Sequence, residues 1–318
     1  GAMQTGWSDI KEERYFFNSS GVMQTGWTEI NEENYLFDGS GAMRTGWYLD
    51  GTDYFYLDEE DGSMATSWLF TDDEWYYMGK DGAMQTGWLD IDGSTYLMAP
   101  SGCMITGWQL LNNGYYYFHE TGPMATGFTP IDDETYYFDK NGVMAANWAE
   151  IGDDWYYFGG DGAMRTGFQN LGASTFYFDE TGKMATEWTS IGGDWYYFDE
   201  NGARMTGWLE LTDEASDETH WYYLDSNGIM QTGWQGDVYL DSEGRMQTEW
   251  LLLDGKWYYL DKESGAKTIG WLELTDEAAG TSTWYYFEAD GTMIADQIKN
   301  IDGTDYQFDA SGAWIIPE

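Results

Sequence analysis

Proline, cysteine and basic residues are all scarce in this chain of 318 residues: 4 Pro, 1 Cys and 13 Lys plus Arg against 57 Asp plus Glu. One cysteine rules out an internal disulfide framework. Cys103 stands where many repeats carry Ala, the place of a packed small side chain. The formal charge of −44 excludes nucleic acid as a partner, because phosphate binding relies on Lys and Arg, and it disfavours an anionic membrane surface. Such a field attracts cations. No apolar run approaches the ~18 residues of a membrane span, so membrane insertion is not expected. No phosphate loop, Ser/His/Asp arrangement or EF-hand spacing occurs, and neither His119 nor His220 has metal-ligand spacing around it. A catalytic centre, a cofactor and a motif-defined metal site are therefore not expected; loose calcium binding between the acidic turns is the alternative that the charge leaves open.

What the chain has in excess is one sentence repeated. Gly, any residue, Met, two more residues and Gly-Trp lead to a Tyr-rich run and another turn glycine, at Gly21, Gly41, Gly62, Gly82 and onward to Gly312. A short fixed period means many copies of one supersecondary unit, each too small to bury its own apolar face. The repeats are regular at 20–21 residues over 1–201, irregular at 16–26 residues over 202–311, and end in a half-repeat at 312–318, so the reading is a single repeat domain over 1–318. The chain starts in mid-repeat, as an excised or processed piece of a longer product would. Aromatics make up 19% of it, which directs attention to binding along an extended surface rather than to one reactive centre.

The unit Thr186–Gly202 shows the fold class. Two short runs of aromatic and β-branched residues flank Gly192-Gly193-Asp194, a hairpin signature, and a second turn, Asp199-Glu200-Asn201-Gly202, leads to the next hairpin. The class is all-β, a solenoid of about fifteen stacked hairpins of ~20 residues. Period-2 alternation puts Trp195 and Tyr197 on one face and Tyr196 and Phe198 on the other. Ile91/Met98, Ile131/Phe138, Ile151/Phe158 and Leu211/Leu224 continue the second face, the expected core. GWLELTDEA at 207–215 recurs at 270–278, in hairpins three apart. Three hairpins per structural turn and a plain tandem duplication both account for it. The acid sits mostly in turns such as Asp72-Asp73-Glu74, where it solvates an aromatic surface.

The strings Gly-Ala-Met-Arg-Thr-Gly-Phe (162–168) and Trp-Tyr-Tyr-Phe-Asp-Glu-Asn-Gly (195–202) resemble the choline-binding, or cell-wall-binding, repeats of Gram-positive surface proteins, near relatives of glucan-binding repeats and of the oligopeptide repeats of large glucosylating toxins. The resemblance spans the chain. It implies a left-handed superhelix with about three hairpins per turn and ligands held between successive hairpins. Each site would be an aromatic cage: the Gly-Trp Trp, the first Trp of Trp-Tyr-Tyr in the same hairpin and the second Tyr of the next, often with a Met. A quaternary ammonium suits ring faces because it brings no donor to satisfy.

Carried over, the pattern is complete at Trp148, Trp155, Tyr177 with Met164, and at Trp208, Trp221, Tyr239 with Met230. Trp188 and Trp195 pair with Tyr223, the Met slipping to Met205. Trp250 and Trp257 pair with Tyr286, with Lys267 in place of the Met. Trp47, Tyr54, Tyr77 with Met64 and Trp108, Tyr115, Tyr137 with Met124 keep three aromatics. Leu97 and Gln307 leave the Trp68/Trp75 and Trp271/Trp284 pairs without their Tyr. A lone Trp in such a stack is as readily core as cage, and Met as readily a packing residue. The functional expectation is a non-catalytic, multivalent, secreted or cell-surface module that binds choline-bearing teichoic acid. A neutral glycan is the alternative ligand. A structural or adhesive protein that self-associates through its hairpin stack is the alternative class, fed by Trp314-Ile315-Ile316 at the end.

Overall fold

The computed structural model describes residues 3–112, 114–213, 217–276 and 280–317. The repeat start at Gly1 and the centres of the two longer loops, Asp213–Thr219 and Asp276–Thr283, fall wholly or partly outside them. Among the described residues no helix is present, and thirty strands pair as fifteen separate two-stranded antiparallel sheets. Hairpins 1 to 10 occupy 6–17, 26–37, 46–57, 67–78, 87–98, 107–118, 127–138, 147–158, 167–178 and 187–198. Hairpins 11 to 15 occupy 207–224, 233–240, 249–260, 270–287 and 297–308. Hairpins 11 and 14 are lengthened and hairpin 12 has strands of three residues, which accounts for the irregular spacing. The all-β expectation holds.

Contacts divide the chain into two compact units, Gly1–Ala149 with Phe158–Met164, and Glu150–Tyr157 with Arg165–Glu318. Both are built by the same rules. In hairpin 10 the register runs Trp188↔Tyr197, Thr189↔Tyr196, Ser190↔Trp195 and Ile191↔Asp194. Opposed residues share a face, so Trp188, Trp195 and Tyr197 lie on one side and Ile191, Tyr196 and Phe198 on the other. Gly192 and Gly193 between the strands both take positive φ (64° and 99°), the geometry that matches strand twist in a two-residue turn.

In each unit the core is a column formed by the last residues of the second strands, from hairpin 2 onward. Phe37, Leu57, Met78, Met98, Phe118 and Phe138 are 0–1% exposed in the first unit, and Phe178, Phe198, Leu224, Leu240, Leu260, Phe287 and Phe308 are 0–2% exposed in the second. The Ile positions flank this column rather than fill it: Ile131 is buried, whereas Ile91 and Leu211 are only half-buried.

Between hairpins the Met linker acts twice. Its backbone adds a bridge to the last residue of the preceding hairpin, as in Leu224↔Met230. Its N–H also reaches back past that hairpin: Met230 N donates to Trp195 O at 2.8 Å, and Met246 N to Trp221 O at 2.8 Å. The thioether tucks under the next linker's glycine, where a Cβ built at Gly244 would come 2.5 Å from Met230 Sδ. Gly244 also has φ +81°, so both backbone and space call for glycine there. Much of the acid is structural as well. Asp199 Oδ1 accepts from the N–H groups of Asn201 and Ala203 at 2.9 and 2.8 Å, and Asp38, Asp139, Asp225 and Asp309 cap their turns in the same way.

Candidate ligand-binding cages

Exposure separates the Trp rings from the core rings. Trp195 is 47% exposed although it lies three residues from Phe198 at 0%, and Trp75, Trp257, Trp155 and Trp221 are similarly open. So much exposed indole repeated on a stack is not core packing, and it needs another account.

Most Gly-Trp rings meet a ring from the same strand position of the following hairpin. That position lies two residues before the end of the second strand, one residue before the Tyr expected from the sequence, and it carries Tyr in most hairpins and Phe55 in hairpin 3. Trp188 meets Tyr222 at 4.9 Å, Trp250 meets Tyr285 at 5.0 Å, Trp47 meets Tyr76 at 4.8 Å and Trp108 meets Tyr136 at 4.9 Å. Tyr223, Tyr286, Tyr77 and Tyr137 instead pack in their own hairpins against Trp208, Trp271, Trp68 and Phe128. The reason is the strand period. Consecutive hairpins place the Trp face of one against the core face of the next, and one residue of shift changes the face.

This shift re-sorts the sets. Trp68 and Trp75 stand 6.2 Å apart at 87°, with Tyr96 4.9 Å from Trp68, so Leu97 is no loss. Trp271 and Trp284 stand 6.3 Å apart, with Tyr306 4.8 Å away, so neither is Gln307. Trp250 and Trp257 form the same corner at 6.1 Å and 89°. For Trp208 and Trp221 the residue two before the end of the next hairpin's second strand is Val238, and Tyr239 pairs with Trp234 instead, so that set lacks a wall. Tyr177 packs on Phe168 in its own hairpin. Trp148 and Met164 belong to the first unit, Trp155 and Tyr177 to the second.

The methionines move too, each serving the hairpin before the one assumed. Met64 donates to Asn34 O and Met124 to Thr95 O, while Tyr54 and Tyr115 receive Met84 and Met144. Trp155, Trp195, Trp221 and Trp257 receive Met184, Met230, Met246 and Met293. Met205 donates to Tyr197 O of the adjacent hairpin and Lys267 to Asp237 O of hairpin 12, so Lys267 does not oppose a ligand between Trp250 and Trp257. Trp314 fills the Met place at hairpin 14, donating to Trp284 O and packing 5.6 Å from Trp271, which leaves Ile315 and Ile316 as the exposed apolar residues at that end.

Hairpin 10 carries an opening of its own. Trp188, Trp195, Tyr222 and Met230 line a cleft of about 900 Å³ rimmed by Glu187, Asp213, Glu218, His220, Glu243 and Arg245. Arg245 is engaged by Asp241 at 3.2 Å and by Glu243, so the rim presents net negative charge to a cation. His220, which has no metal-ligand spacing in the sequence, stands in this rim with Nε2 3.6 Å from Glu218. A second cleft, of about 730 Å³, lies at hairpin 5 around Trp88, Thr95, Tyr116 and Met124, with Lys140 at its edge.

The choline-binding repeat matches residues 25–68, 105–147, 125–166, 165–207, 185–215 and 235–270, which together exceed half of the sequence. The chain belongs to the choline-binding repeat family. The putative cell wall binding repeat matches 5–23, 66–84, 216–230 and 280–293. Comparison with curated protein sequences gave no match. Among solved structures, choline binding protein F from Streptococcus pneumoniae, determined with a peptidoglycan analogue, is 23% identical over 99% of this chain and 100% of its own, with TM-score 0.42. The choline-binding domain of CbpL from the same organism is 29% identical over 61% of this chain and 99% of its own, with TM-score 0.43. The modular autolysin LytC, also from S. pneumoniae, is 26% identical over 79% of this chain and 52% of its own, with TM-score 0.38.

Within this choline-binding repeat chain, Cys103 is a half-buried packing residue with its Sγ 3.5 Å from Tyr76 Oη. Its thiol belongs to the linker between hairpins 5 and 6 and lines neither cleft.

Proposed function

We propose that the chain is a non-catalytic, multivalent cell-surface module that holds choline-type quaternary ammonium groups of a teichoic-acid-like polymer between successive hairpins. The observation that carries this reading is the hairpin 10 cleft. Trp188, Trp195 and Tyr222 supply ring walls, Met230 closes the floor, and carboxylates surround the mouth. Ring faces attract a methylated ammonium without any hydrogen bond, and the acidic rim adds long-range attraction. The corners at Trp68/Trp75/Tyr96, Trp250/Trp257/Tyr285 and Trp271/Trp284/Tyr306 are further cages of this kind. Trp47/Tyr54/Tyr76 and Trp108/Tyr115/Tyr136 are weaker ones. Several modest sites on one chain gain avidity on a polymer with many copies of the ligand.

The test is retention on a quaternary-amine resin at high salt, followed by elution with free choline. Release by choline but not by equimolar sodium chloride supports the reading. Loss of retention at high salt alone reduces the interaction to ion exchange by an acidic protein. Elution by a neutral oligosaccharide and not by choline would place the chain with glycan binders.

A further inference from the structure

Three of the chain's 13 basic side chains stand over the Gly-Trp-position ring of a hairpin. Lys267 Nζ lies 5.6 Å from the Trp234 ring centre, Arg204 Cζ 5.9 Å from Phe168 and Arg14 Cζ 4.7 Å from Trp7. None of the three hairpins carries the second Trp; Asp237, Thr175 and Arg14 occupy its place. Among the described residues, no basic side chain stands over the rings of the Trp68/Trp75, Trp188/Trp195, Trp250/Trp257 and Trp271/Trp284 corners. We propose that hairpins 1, 9 and 12 are cages closed from within, their cation supplied by the chain itself, so that these positions take no external ammonium ligand. The proposal rests on reading the open sites as ammonium cages.

Lys267 shows how the substitution works. It occupies the reach-back position of the linker: its N–H donates to Asp237 O at 2.8 Å, as Met230 does to Trp195. Its stem takes the thioether's packing place, 3.0 Å from a Cβ built at Gly291. Beyond that stem Nζ lies over Trp234 and 3.2 Å from Asp237 Oδ1, so the site holds an ammonium against a ring and a carboxylate. Arg204 repeats the arrangement: its N–H donates to Thr175 O, its Cδ would meet a Cβ at Gly228 at 2.6 Å, and its guanidinium lies over Phe168. Arg14 arrives instead from the second-Trp position, with Asp9 3.7 Å away. The Nε atoms of Arg14 and Arg204 are buried with no hydrogen-bond partner, as expected when the ring face compensates the charge.

The decisive variant is Lys267→Met, which installs the residue most repeats carry and therefore leaves the linker's packing intact. Titrating the full chain calorimetrically with tetramethylammonium chloride, against sodium chloride as blank, should give one more site per chain in the variant than in the wild type. The melting temperature of Lys267→Met should also rise with tetramethylammonium beyond the wild-type rise. Adding Trp234→Ala to Lys267→Met should cancel both gains. Equal site numbers in wild type and Lys267→Met, with binding evident in both, would overturn the internal cation and leave the open cages standing. No binding to either protein would overturn both. A gain that survives Trp234→Ala would place the new site elsewhere and also overturn the proposal.

Discussion

Hairpins 10 and 12 belong to the same unit and share one frame, yet the first opens a cleft and the second is shut. Their core residues, Phe198 and Leu240, are both fully buried. Their Gly-Trp rings meet the next hairpin's Tyr alike, Trp188 on Tyr222 at 4.9 Å and Trp234 on Tyr258 at 5.2 Å. Two positions differ. Trp195 becomes Asp237, and the linker residue that reaches back to it changes from Met230 to Lys267. A ring pair with a soft floor becomes an ion pair under a ring. Whether a site is open is thus set by two side chains that the fold does not need, because the backbone hydrogen bond and the stem packing survive both choices.

The largest effect should come from attacking what the two hairpins share. Phe198→Ala should cost about 3–5 kcal/mol and Leu240→Ala about 2–5 kcal/mol, read as a shift in denaturant midpoint. Comparable losses would sharpen the comparison, since the frame would then be the same in an open and in a closed hairpin. If Leu240→Ala were silent, the short hairpin 12 would be held by something other than the common column.

That column and the hairpins were legible in the sequence because both depend on strong local signals: turn glycines, period-2 alternation and the Phe or Leu that ends each run. The cage partners were legible only in part. Trp195 and Tyr197 were correctly placed on one face, but which face the next hairpin turns toward them is a packing fact with no local signature. Choosing Tyr223 over Tyr222 was therefore a one-residue matter that hid the Trp68/Trp75/Tyr96 and Trp271/Trp284/Tyr306 corners and promoted the Trp208/Trp221 set. The reach-back of the linker was invisible for the same reason, since Met230 lies beside hairpin 11 in sequence but closes hairpin 10.

The next effect tests the two-residue difference directly. Met230→Lys should bring an ammonium to the hairpin 10 cage and mimic hairpin 12. Choline-type ligand should lose one site per chain, or bind there about thirtyfold more weakly, which corresponds to about 2 kcal/mol. Calorimetric stoichiometry checks it; unchanged binding would mean that the Met230 position does not face the ligand.

Removing one wall should do less than filling the cage. Trp195 is 47% exposed, so Trp195→Ala should weaken a single site by about 1 kcal/mol, roughly fivefold. Asp237→Ala in the closed hairpin should leave ligand affinity and stoichiometry unchanged. Equal losses from the two changes would erase the distinction between open and closed hairpins.

The smallest effect concerns the aspartate turns that follow hairpins of the frame. The Ser264 hydroxyl and N–H groups donate to Asp261 and hold its carboxyl below the usual 3.8, and Ser40 and Ser311 do the same for Asp38 and Asp309. A carboxyl whose folded pKa is depressed contributes stability that is fully present above its unfolded value and is lost as pH falls through the lower folded value. Stability from these turns should therefore stay level from neutral pH down to about 4 and decline below that. Because these carboxylates are solvent-exposed, the contribution of each turn should be slight and should appear as a small shift of the acid-unfolding midpoint. Ser264→Ala removes the hydroxyl donor, so Asp261 should protonate at higher pH and the variant should begin to unfold at slightly higher pH than the wild type. Melting curves taken at intervals between pH 6 and pH 2 would show it. A midpoint that does not move would mean that the backbone N–H donors alone hold the turn, leaving the hydroxyl without a measurable part in the fold.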